Sequence, residues 1–146
     1  MAFAFTFLDD VALADMAFDA SGDSPAELFH AATQALIESL ADPRTVAASW
    51  NETVTLTDQD LDSLLFDWLG QLVYLKDARG VVFHSVTLRL ERPHPSAPWR
   101  LNAEVTGAPV DPATQELRSD VKGVTKHLYA VTQEGSTWKA RVVLDV

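Results

Sequence analysis

One stretch constrains this chain more than any other. Leu61, Leu64, Leu65, Trp68, Leu69, Leu72 and Val73 recur at helical spacing and form a broad apolar stripe. A helix with so wide a stripe has to be buried against other elements. Thr57-Asp58 reads as its opening and Arg79-Gly80 as its end. A second helix is announced by Ser24-Pro25-Ala26-Glu27, where Ser24 caps the free amides, Pro25 suits the first helical position and Glu27 completes a capping box. Leu28, Phe29, Ala32, Leu36 and Leu40 follow at helical spacing until Asp42-Pro43 stops them.

The remainder reads as strand. Phe3, Phe5 and Phe7 stand at strict period two, then Asp9-Asp10 interrupts. Met16, Phe18 and Ala20 alternate with Asp15, Ala17 and Asp19 up to a Ser21-Gly22-Asp23 turn. Further β patterns run over 45–56, 81–90, 99–106, 121–131 and 137–146, with a Pro-rich loop at 92–98 and a turn-rich connection at 107–119. Two helices set among about six or seven strands, with long β–β connections, predict an α+β fold in which the helices pack on a largely antiparallel sheet. At 146 residues the chain is the size of one domain, spanning 1–146.

Composition removes several classes of function. With no Cys there is no disulfide framework, thiolate nucleophile or Cys-ligated metal site. The formal charge of −10 disfavours stand-alone nucleic-acid binding and suits a basic protein partner or a hard cation. No apolar run reaches the roughly 20 residues of a membrane span, and no secretory leader is visible, so a cytoplasmic protein is expected.

No Gly-rich phosphate loop, His-Glu-x-x-His pair or Gly-x-Ser-x-Gly elbow occurs, and His30, His84, His94 and His127 are scattered without ligand spacing. His30 and His94 read as solvent-facing. Trp68 reads as core, with Asp67 on the opposite face. The unusual feature is the end of the sequence, where an apolar strand pattern from Ala140 runs to Asp145 and Val146. That sets a side-chain carboxylate beside an α-carboxylate, the kind of oxygen donors that Ca²⁺ or Mg²⁺ prefers. A terminal Asp is also an ordinary surface charge.

Nearly the whole chain resembles the archease family, the accessory proteins of the RtcB-type ligase that joins tRNA halves. The resemblance rests on Leu13-Ala14-Asp15, on the helix start at 24–29, and on 64–75, which is similar to the family's L-L-x-D-W-L-N-E-L-L-Y-L. It extends through Gly107-Ala108-Pro109-Val110-Asp111, through 120–127, similar to E-V-K-A-V-T-Y-H, and through the closing Arg141–Val146. It implies a divalent cation held by Asp15, Asp145 and Val146, with no catalytic residue in the protein itself. The family's H-T-A-D reads Ala12-Leu13-Ala14-Asp15 here, so its His and Thr are replaced by apolar residues. That departure touches the support of the ion or a partner contact, and Asp9 or Asp10 is a candidate to compensate.

Two readings stand side by side for Lys122: a phosphate or partner contact near the metal, or a surface Lys balancing Asp120. His127 is a second candidate contact, with a plain surface role preferred. The implied function is activation of an RtcB-type tRNA-splicing ligase, promoting its guanylylation and turnover through the bound cation. The alternatives are a metal-dependent phosphohydrolase and a metal-stabilised, chaperone-like interaction module.

Overall fold

Ser24 starts the first helix as its sequence suggests: the Ser24 hydroxyl accepts a hydrogen bond from the Glu27 amide at 3.2 Å. The Glu27 carboxylate reaches back one residue further than a capping box requires, to the Asp23 amide at 2.9 Å. The computed structural model describes residues 3–8 and 15–146. In chain order these form β1 (Phe3–Leu8), β2 (Asp15–Gly22), α1 (Pro25–Leu40), a 3₁₀ turn at Pro43–Thr45, β3 (Trp50–Asp58), α2 (Leu61–Arg79), β4 (Val81–Glu91), β5 (Trp99–Pro109), β6 (Gly123–Glu134) and β7 (Thr137–Asp145).

The strands make two sheets, one of order β1-β2-β7-β6 and one of order β3-β5-β4. All pairings are antiparallel, so the α+β class anticipated from the pattern holds. Helix α1 packs on β1, β2 and β4, and α2 on β6 and β3. The apolar stripe of α2 is fully buried from Leu64 to Leu72, in one cluster with Phe18, Phe29, Leu36, Leu101 and Val142. Within it the Trp68 indole N–H donates to the Thr33 hydroxyl at 2.8 Å, and that hydroxyl donates to the Phe29 carbonyl at 2.6 Å. Each buried polar atom in this chain of bonds thus has a partner. Asp67 is exposed.

Several boundaries differ from the sequence pattern, each for a local reason. The alternation read from residue 45 becomes strand only at Trp50, because the Asp42 carboxylate accepts from the Arg44 amide and side chain and winds Pro43–Thr45 into a 3₁₀ turn. Thr57-Asp58 does not open α2. Those residues stay paired with Arg100 and Trp99, and the helix begins after Asp60. Its end agrees with the Arg79-Gly80 signal: Gly80 adopts φ 64°, the left-handed conformation that glycine tolerates best. Ser21 and Gly22 finish β2 rather than form a turn. His30 is half-buried rather than solvent-facing, whereas His94 is exposed.

The connection before β6 serves α1. A helix leaves its last carbonyls without partners, and residues 116–119 supply them here. The Arg118 amide donates to the Leu40 carbonyl and the Ser119 amide to the Ser39 carbonyl, both at 2.9 Å. The Arg118 guanidinium donates to the Glu38 carbonyl at 2.9 Å. This strap leads directly into Asp120 and Lys122.

Candidate functional site

Asp15 is the first residue of β2 and Asp145 the last of β7. The β2–β7 ladder sets them directly opposite one another. Directly opposed side chains in an antiparallel pair share a face, with Cβ atoms roughly 4.5–5.5 Å apart. On its other side Asp145 faces Gly123 of β6. Among the described residues no atom lies within 4 Å of where a Cβ at Gly123 would stand, so none of them fills the space beside that position. The backbone there is held: the Lys122 amide donates to the Asp145 carbonyl at 2.7 Å.

One step along the same face the surroundings change. Ala17 faces Val143, and Val143 faces Thr125. Ala17 and Val143 are buried although neither belongs to the main apolar cluster. The Thr125 hydroxyl is buried with no hydrogen-bond partner among the described residues. The two carboxylates thus sit between an apolar floor and solvent, with Asp15 half-buried and Asp145 and Val146 exposed.

Among the described residues no three His, Cys, Asp or Glu side chains converge. Among the described residues Asp15 and Asp145 are a pair, and the family resemblance adds the α-carboxylate of Val146 as a third anionic group. An all-oxygen, doubly or triply anionic donor set fits a hard dication, with water completing its shell. Residues 9–14, including the positions that replace the family's His and Thr and the suggested compensating acids, lie outside the described residues.

The two contact candidates are placed differently. Lys122 is exposed and its backbone adjoins Asp145. Its supposed partner Asp120 is instead paired with Lys76, at 2.7 Å. The Lys76 ammonium, through this hydrogen bond and its charge, holds the Asp120 carboxyl below its ordinary pKa, and the charge of Lys122 adds a smaller pull. His127 is exposed in a stretch where the β6–β7 register breaks, between Thr125 and Ala130. Lys126 in that stretch lies 3.8 Å from the centre of the Phe66 ring, and Tyr129 packs edge-on against the same ring.

Lys76 was not singled out in the sequence. Its signal was present, since it falls four residues after Leu72 and three after Val73, on the apolar stripe of α2. Burial lowers the pKa of its ammonium, and hydrogen bonds to Asp120 and Asp77 more than reverse that, leaving it raised. No helix among the described residues is long and apolar enough to cross a membrane.

Residues 5–146 match the model of the Archease protein family. Protein archease of Methanothermobacter thermautotrophicus is 31% identical over 142 residues, covering 97% of this chain and 98% of that protein. Protein archease of Methanosarcina barkeri is 28% identical over 142 residues, covering 97% and 95%. A solution structure from Methanobacterium thermoautotrophicum superposes with a TM-score of 0.78 at 30% identity, covering 97% of this chain and 98% of the other. The crystal structure of an archease from Thermotoga maritima, described as a possible chaperone, shares the fold with a TM-score of 0.63 at 20% identity over 91% of each chain.

Proposed function

Since the chain belongs to the archease family, we propose that it is a non-enzymatic activator of an RtcB-type tRNA-splicing ligase, working through a divalent cation at Asp15, Asp145 and Val146. The observation that carries this reading is the register of β2 and β7, which opposes the two carboxylates on one face.

Asp15 and Asp145 would each supply a side-chain oxygen, and Val146 its α-carboxylate. The Lys122 amide fixes the Asp145 backbone, so the final strand residue presents its side chain from a set position. Asp15, Asp145 and Val146 would hold the dication, which would supply charge neutralisation for nucleotide phosphates during guanylylation of the ligase. The exposed Lys122 is the proposed contact to phosphate or to the ligase surface, with His127 as a second. The formal charge of −10 suits docking on a ligase that must be basic to hold RNA. A chaperone-like role, the description attached to the Thermotoga protein, is the second reading.

The test mixes purified ligase, GTP and a divalent salt with this protein and follows ligase guanylylation. Wild type accelerates it, while Asp15→Ala and Asp145→Ala leave the ligase at its basal rate. Undiminished stimulation by either variant sinks the metal-dependent activator. A C-terminal extension past Val146 separately probes the α-carboxylate: cation binding that survives it removes Val146 from the set.

A further inference from the structure

Strand β1 is an edge. In the order β1-β2-β7-β6 it is hydrogen-bonded to β2 on one side, and no described residue pairs with the other. Edges of this kind are commonly protected by Lys, Pro or a bulge, because their free N–H and C=O groups template pairing with another chain. Phe3–Leu8 has none of these: its sequence is Phe-Ala-Phe-Thr-Phe-Leu, without a charge or a proline, and its ladder with β2 has no register shift. The rings are partly in water, Phe3 at 40% and Phe7 at 38% exposure. They are also ordered, since Phe5 packs edge-on to Phe7, and Phe7 edge-on to buried Phe18, with centroids 5.8 and 6.2 Å apart.

The pattern is symmetric about Phe5. We propose that β1 is a self-association interface, on which a second copy of this chain adds its own β1 antiparallel across a two-fold axis at Phe5. In that register Phe5 faces Phe5 of the second copy, and Phe3 faces Phe7 of the second copy, twice by symmetry. Ala4 likewise faces Thr6 of the second copy on the opposite side. All aromatic positions then fall on one face, as the period of two requires, and form cross-strand aromatic pairs. An isologous contact needs a surface complementary to itself, and a near-palindromic strand supplies one. A strand from an unrelated protein would have no reason to match this symmetry. The joined sheet would have twice the four strands of one copy, within the range of up to about ten that open sheets reach.

Charge sets how the association responds to salt. Each copy carries a formal −10, whereas the edge itself is neutral, so long-range repulsion opposes an otherwise favourable contact. Salt screens that repulsion, and the dimer tightens as ionic strength rises. The geometry also separates this surface from the carboxylate pair. The β1–β2 ladder ends at Leu8 opposite Ala17, and Asp15 lies beyond that end. Antiparallel pairing puts the two Asp15–Asp145 pairs at opposite ends of the joined sheet, so cation binding and self-association proceed independently.

The experiment is analytical ultracentrifugation of the full chain at millimolar concentration, in low salt and in about 1 M salt, where the screening length is about 3 Å. The expected result is a species of twice the 16.0 kDa chain mass that grows with salt. Ala4 and Thr6 are both exposed, so charges there leave the monomer folded, which circular dichroism checks. Ala4→Lys with Thr6→Lys opposes like charges at both symmetry-related positions and should weaken the dimer by about tenfold or more. Ala4→Glu with Thr6→Lys opposes unlike charges at those positions and retains the dimer. A wild-type chain that stays monomeric in high salt overturns the proposal, as do two double variants that behave alike. Either result leaves the activator reading untouched.

Discussion

Asp15 and Asp145 face each other across β2 and β7, two carboxylates in register where a sheet ordinarily pairs unlike charges or apolar groups. Like charges so placed are destabilising by about 0.2–1 kcal/mol, so without a cation the position is a local liability. Replacing either residue by Asn should therefore leave the chelated protein as stable as wild type or slightly more so. The same replacement should abolish stabilisation by Ca²⁺ or Mg²⁺. A ligand at a hundred times its Kd adds about 2.7 kcal/mol to a folded state that binds it. At roughly 2–4 °C per kcal/mol for a chain near this size, thermal melts with and without cation resolve the difference. A wild-type melting temperature indifferent to both cations would remove the proposed ion while leaving the fold untouched.

How much of this was legible beforehand depends on how local each feature is. The start of α1 was visible because Ser24 and Glu27 act within one helical turn, and α2 because seven apolar residues from Leu61 to Val73 keep helical spacing. The start of β3 was misplaced because Val46, Ala48 and Trp50 alternate like a strand, while Asp42, outside that window, bends the chain. The opposition of Asp15 and Asp145 depends on a pairing between residues 130 positions apart, which no local period encodes. Family resemblance nominated those residues; the ladder puts them side by side. The irregular stretch of β6 was hidden for a related reason, since Lys126 departs from the ladder toward the Phe66 ring on α2.

Stability should respond to acid in two separate windows. His30 is half-buried, and burial holds its pKa below the ordinary 6.5 against an opposing pull from Glu27. The unfolded chain therefore takes up the proton first, and stability declines as pH falls below 6.5 toward the folded pKa. Asp42 and Asp120 are held below 3.8, Asp42 chiefly by hydrogen bonds from Arg44 and Asp120 by Lys76. Their contribution is complete above 3.8 and is lost as pH drops through their lower folded values. Urea titrations at a series of pH values should show both declines. His30→Gln should remove the upper one alone, and Asp42→Asn with Asp120→Asn should flatten the lower. A single decline unaffected by His30→Gln would contradict this assignment.

Leu128 offers a sharper test of what holds the β6 irregularity in place. It has φ 57°, in the left-handed region, and is the sole non-glycine residue among those described with a positive φ. The side chain is 48% exposed, so little burial compensates the conformation. For an L-residue that region costs roughly 1–2 kcal/mol, and the cost persists only if the surroundings dictate it. Here the neighbours do: Lys126 sits over Phe66, and Tyr129 packs on that ring and donates its hydroxyl to the Asp62 carbonyl at 2.5 Å. Leu128→Gly relieves the steric term while adding about 0.5–1 kcal/mol of unfolded-state entropy. The net expectation is a gain between about 0 and about 1.5 kcal/mol, read as a higher urea midpoint at unchanged slope. Phe66→Ala should cancel that gain by freeing the backbone to leave the left-handed region, so the double variant should show no benefit from glycine. A Leu128→Gly protein less stable than wild type would mean that the exposed leucine makes contacts worth more than the strain it carries.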